Sequence, residues 1–134
     1  MKTIPLAAGF ACLATLAAAE TPVLDVYTYD SFASEWGPGP AIEAGFEANC
    51  ACDLRFVTAG DGAALLARVQ LEGAATQADV VVGLDTNLTA QAQATGLFAP
   101  HGQPAVTGLP IPYVDPIFLP FDWGYFAFVH KKSL

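Results

Sequence analysis

The alternation of apolar and polar positions changes period several times along this chain, and each change marks an element. Residues Val23 to Tyr29, VLDVYTY, are rich in β-branched and aromatic types, which suits a strand. The rigid Gly37-Pro38-Gly39-Pro40 elbow follows. Beyond it, Ala41 to Ala48 places Ile42 and Phe46 four apart, and that spacing predicts a short helix with one buried stripe. A second strand is expected at Asp53 to Thr58. It ends at Ala59-Gly60-Asp61-Gly62, where two glycines can bring backbone amides close to a ligand.

From Ala63 the pattern AALLARVQLE puts Leu65, Leu66 and Val69 on one helical face, with Gly73 as the stop. Ala78 to Leu84 is a continuous valine-rich run, as expected of a parallel strand covered on both faces. Asp85 or Thr86 can cap a further helix through Leu88 to about Thr95, stopped by Gly96. Pro100 to Pro120 reads as an ordered surface loop, and Phe121 to His130 returns to strand character. The order β-α-β-α-β-α predicts an α/β sandwich with right-handed crossovers.

Composition narrows the function. At 134 residues, 54% of them hydrophobic, the chain has room for one core and not for two full lobes. A formal net charge of -8 argues against nucleic acid, whose phosphates need clustered Lys and Arg. Scattered single acids read as a solvated surface, with a mild preference for cationic ligands as the sharper alternative.

Residues 1–19 carry the marks of a secretory signal: Lys2, an apolar run from Ile4 to Leu16, and the small residues Ala17-Ala18-Ala19. Cys12 falls inside that signal, and the residues before it lack the leucine of a lipid-attachment box. The mature chain is then expected to cover 20–134 with no membrane span. Its apolar last strand, followed only by Lys131-Lys132-Ser133-Leu134, reads as the middle of a fold, so a fragment of a longer protein is expected.

Three expected strands end on acids, at Tyr29-Asp30, Gly60-Asp61-Gly62 and Leu84-Asp85. In open α/β sheets ligands bind beyond the carboxyl ends of the strands, so Asp30, Asp61 and Asp85 are candidate ligand contacts. Helix capping explains the same acids equally well. Tyr29 and Trp36 would add aromatic faces, which attract organic cations, and Phe121-Asp122-Trp123-Gly124-Tyr125 is a second aromatic and acidic cluster. For Cys50-Ala51-Cys52 a local disulfide, a redox pair and a metal site all stay open, in falling order. Neither a G-x-S-x-G elbow nor a phosphate-cradling G-x-x-x-x-G-K is present, and neither His101 nor His130 lies in a catalytic motif.

Across VYTYDSFASEWGPGP, FEANCACDL, Asp61-Gly62, ADVVVGLDTNL, TGLFAP and PFDWGYFAFVHKKSL the chain resembles the thiamine-binding periplasmic proteins of bacterial ABC transporters. Residues Gln103 to Asp115 depart most from that pattern. The resemblance implies a type II periplasmic binding fold, here one three-layer α/β lobe at 20–134 without its second lobe. It implies that Tyr29, Trp36, Asp61 and Gly62 contact thiamine or a thiamine phosphate, that Cys50 and Cys52 pair, and that a membrane permease is the partner. It further implies a periplasmic, monomeric, non-enzymatic binding protein that needs no cofactor, thiamine being cargo. A thiaminase-like enzyme of the same fold, and capture of ferric iron, a polyamine or an anion, are the competing readings.

Overall fold

The computed structural model describes residues 20–125 and 127–132, so the signal-peptide reading of 1–19 lies outside the described residues. Strand β1 (Val23–Thr28) is central, with β2 (Asp53–Thr58) on one side and β3 (Val80–Val82) on the other, both parallel to it. The register runs from Val23 opposite Asp53 to Thr28 opposite Thr58, and Thr28 also aligns with Val82. All three carboxyl ends therefore finish at one edge. The valine run forms a strand only at its centre.

Side chains alternate across a pleated sheet, and the two faces are covered differently. Tyr27, aligned with Val57 and Val81, faces helix α3 (Gly62–Glu72), whose Leu65, Leu66 and Val69 are buried as their spacing predicts. Burying each such side chain stabilises the fold by about 1.5–3 kcal/mol. Gly73 ends the helix, its N–H donating to the Val69 carbonyl in a backbone with φ of 55°. Arg68 braces this face, its guanidinium 4.6 Å from the centre of the Tyr27 ring and its Nε donating to Glu72 Oε1 at 2.8 Å.

On the other face lie α1 (Asp30–Ala33), a single turn, and α2 (Gly39–Cys50). Phe32 of α1 is buried against Phe56, ring centres 5.5 Å apart. Gly37 and Gly39 are required here: a Cβ on either would strike the Phe32 carbonyl oxygen, so the elbow folds tightly over α1. Pro40 lies in the first turn of α2, where its missing N–H costs no bond. The expected buried stripe is corrected by the structure. Ile42 and Phe46 are 38% and 44% exposed, because no other element of the described chain packs over that side of α2.

After α4 (Thr89–Ala94) the chain has no further helix or strand among the described residues. Pro100 to Pro120 is irregular yet held: the His101 N–H donates to the Pro116 carbonyl at 3.0 Å. The His101 ring faces the Asp115 carbonyl through Nε2 at 2.8 Å, and its Nδ1 accepts from the Gln103 N–H at 2.9 Å, which places the proton on Nε2. The strand expected at Phe121 to His130 is not formed. Alternating aromatics make a strand only where a sheet edge accepts their backbone bonds, and here Phe128 and Val129 stand fully exposed instead. Among the described residues no helix is long and apolar enough to cross a membrane.

Candidate functional site

Parallel pairing brings the acids that follow β1, β2 and β3 to one edge, and each carboxylate is oriented by backbone N–H groups. Asp30 and Gly60 clasp the ends of β1 and β2 together. The Asp30 N–H donates to the Gly60 carbonyl, and the Gly60 N–H donates to Asp30 Oδ1, both at 2.9 Å. Asp61 is the cap of α3, its Oδ1 accepting from the Ala64 N–H at 2.9 Å. Asp85 closes the turn before α4, accepting from the Asn87 and Leu88 N–H groups at 2.8 and 3.2 Å.

Of the three only Asp61 caps a helix; α4 begins after Leu88 without the expected Asp85 or Thr86 cap, and Asp30 and Asp85 hold a strand-end loop and a turn instead. Every one of the three is exposed and uses Oδ1 for structure, while its Oδ2 has no hydrogen-bond partner among the described residues. A backbone-held carboxylate with a free oxygen is a preorganised acceptor.

Asp61, Gly62, Asp85, Gly83, Asn87 and Leu88 border an open depression of about 480 Å³, within the size range of small-molecule sites. Tyr29 joins it through Gly83. The Cδ1–Cε1 edge of the Tyr29 ring occupies the space in which a Cβ on Gly83 would lie. A Cβ on Gly62 would in turn meet the Gly83 carbonyl oxygen at 2.6 Å, so ring, strand end and helix start are in mutual contact through bare backbone. Phe32 packs edge-on against Tyr29 at 5.6 Å and against Phe121 at 5.4 Å. Burial, with the nearby Asp122 carboxylate, pushes the Tyr29 phenol above its ordinary pKa.

Trp36 is not gathered into the depression. It stands 79% exposed on the turn between α1 and α2, a large apolar ring held out by the Gly37 elbow. Gly83 and Asn87 were not singled out from the sequence as site residues. A glycine placed between a valine run and an acid, as Gly83 is, was the available signal.

Cys50 and Cys52 form a disulfide across Ala51, with Cα atoms 5.2 Å apart. Ala51 takes a left-handed backbone to allow it, φ 51°. The pair precedes β2, at the opposite end of the sheet from Gly60. Among the described residues no group of three or more His, Cys, Asp or Glu side chains is arranged to hold a metal ion.

No protein-family model matches the chain. Curated relatives do. It is 51% identical over 119 residues to the thiamine-binding periplasmic protein of Brucella suis, a match covering 87% of this chain and 35% of that one. The protein of the same name from Escherichia coli is 52% identical over 113 residues, covering 84% and 35% respectively, and that of Haemophilus influenzae 45% identical over 122 residues. Among solved structures, one described as a periplasmic thiamin binding protein superposes with a TM-score of 0.70 at 46% identity, over 82% of this chain and 35% of that one. The chain spans about a third of the length of the relatives it matches. In sequence and in fold, it resembles part of the α/β lobe of a thiamine-binding periplasmic protein.

Proposed function

We propose that this chain is part of a periplasmic solute-binding component that captures thiamine, or a thiamine phosphate, for a membrane permease of an importer. One observation supports the reading: in a chain about half identical to thiamine-binding periplasmic proteins, a single sheet edge gathers Asp61, Gly62 and Asp85 around one open depression, with the Tyr29 ring packed against Gly83 of its lining. Thiamine carries a permanent positive charge on its thiazolium ring. The face of Tyr29 and the free carboxylate oxygens suit that charge, and exposed backbone groups can bond the aminopyrimidine. Trp36, exposed and outside the depression, is a ligand contact in this reading only on the strength of the sequence resemblance. The names of the relatives support the periplasmic setting, and the secretory pattern of residues 1–19 agrees with it.

No bond-making step is assigned. A thiaminase-like reaction needs a free thiolate near the ligand, whereas Cys50 and Cys52 are bonded to each other at the far end of the sheet. Thiamine is cargo in this reading, and the site asks for no cofactor.

The test is a titration of the purified chain with thiamine, followed by backbone amide shifts. Saturable shifts confined to Tyr29, Gly62, Gly83 and Asp85 are expected, with no loss of thiamine by mass analysis after prolonged incubation. An open edge excludes little water, so the affinity is expected to be weaker than about 1 μM. Submicromolar binding would contradict the open-edge account, degradation of thiamine would favour the enzyme, and shifts produced only by spermidine or ferric citrate would reassign the ligand.

A further inference from the structure

The residue that decides where the aromatic face lies is not itself aromatic. Gly83 follows β3 with φ of 112°, a backbone conformation that side-chain-bearing residues rarely adopt. Its missing side chain is replaced by the edge of the Tyr29 ring, which begins where the Cβ would be. Gly62, the first residue of α3, has no room for a Cβ against the Gly83 carbonyl oxygen. The phenol ring is therefore wedged between the ends of β1 and β3 and supported at its edge by Phe32. Any side chain at position 83 would force the ring out of that slot.

We propose that Gly83 is a positioning residue of the binding site: it seats the Tyr29 ring at the carboxyl edge of the sheet and so fixes the aromatic surface offered to a flat organic cation. The inference deepens the thiamine-binding reading and rests on it for the ligand, though not for the seating of the ring. Aromatic attraction to a cation depends on the cation lying over the ring face, so a ring that swings free of the slot loses both orientation and its partial burial. Gly83 itself need not touch the ligand.

Two readouts test this on the full chain. In the absence of ligand, labelled-tyrosine NMR follows the Tyr29 phenol, which burial and Asp122 hold above the usual value. Gly83→Ala is expected to return its titration toward the ordinary tyrosine range, while Ala at the structurally neutral, open position Gly45 leaves it in place. Thermal unfolding of Gly83→Ala, Tyr29→Ala and the double variant supplies the second readout. If the ring is what residue 83 accommodates, the double variant is more stable than Gly83→Ala alone.

With thiamine, Gly83→Ala and Tyr29→Ala are each expected to weaken binding by about tenfold, and the double variant by no more than either. A double variant no more stable than Gly83→Ala, an unmoved phenol titration, or wild-type binding by a folded Gly83→Ala protein each overturns the proposal. Absence of thiamine binding in the wild type refutes the ligand instead, and the phenol and stability readouts still decide the seating.

Discussion

The two faces of the sheet solve the same problem to different degrees. Under α3, Tyr27, Leu65 and Val69 form a closed cluster into which Val57, Val81, Leu84, Leu97 and Phe98 also pack. Under α1 and α2, Val26, Phe32 and Leu54 are buried, yet Ile42 and Phe46 of α2 stay in partial contact with water. Both helices have apolar residues at helical spacing, but only α3 finds a partner surface for all of its stripe. Apolar periodicity specifies which face a helix would bury; whether it does so depends on what lies opposite.

That difference is open to measurement. Leu65→Ala, in the closed cluster, is expected to lower unfolding free energy in urea by about 3 kcal/mol through lost burial and a residual cavity. Asp61→Ala removes the α3 cap and is expected to cost about 1 kcal/mol, whereas Asp61→Asn keeps an acceptor for the Ala64 N–H and costs about half that or less. If Asp61 also serves the ligand, Asn loses thiamine affinity while retaining stability. Phe46→Ala, on the open side, is expected to cost under about 1 kcal/mol, and a loss equal to that of Leu65→Ala would mean the two faces are equally closed.

A smaller effect on the α3 side depends on pH. The Arg68 guanidinium first, and the Thr76 hydroxyl second, hold the Glu72 carboxyl below its ordinary value, and Arg55 does the same for Asp25. Both contacts favour the ionised folded form. Their stabilisation is complete above the unfolded-chain value of about 4 and is lost as pH falls through the lower folded values. Thermal unfolding of Glu72→Gln is expected to narrow the gap between neutral and acid Tm modestly, because these side chains are solvent-screened. An unchanged gap would remove Glu72 from the α3-side brace.

Local signals carried most of the α/β framework. Leu65, Leu66 and Val69 announced α3, Asp61 and Gly73 its ends, and the valine run a parallel strand, since each depends on residues near in sequence. The expected cover on both faces of that strand is not found, Val80 being exposed and Val81 and Val82 only half-buried at the sheet edge. What stayed hidden depends on distant partners. Phe121 to His130 has strand-forming side chains but no ladder in the described chain, and the exposure of Ile42 and Phe46 reflects an uncovered surface rather than any property of α2. The arrival of Asp30, Asp61 and Asp85 at one sheet edge was legible because parallel strands end together. The Asp30–Gly60 clasp and the insertion of Tyr29 against Gly83 were not, because both join strands separated by long stretches of chain. The disulfide, one of three chemistries open to Cys50 and Cys52 on spacing alone, needed geometry or the resemblance to decide it.

The most direct measurement places the cation. Titrating thiamine into the labelled chain and into Tyr29→Ala is expected to give saturable amide shifts that cluster at Gly62, Gly83 and Asp85 in the first protein and fade in the second. Shifts of equal size in both, or shifts centred on the loop around His101 and Tyr113, would contradict a ligand seat at the carboxyl edge.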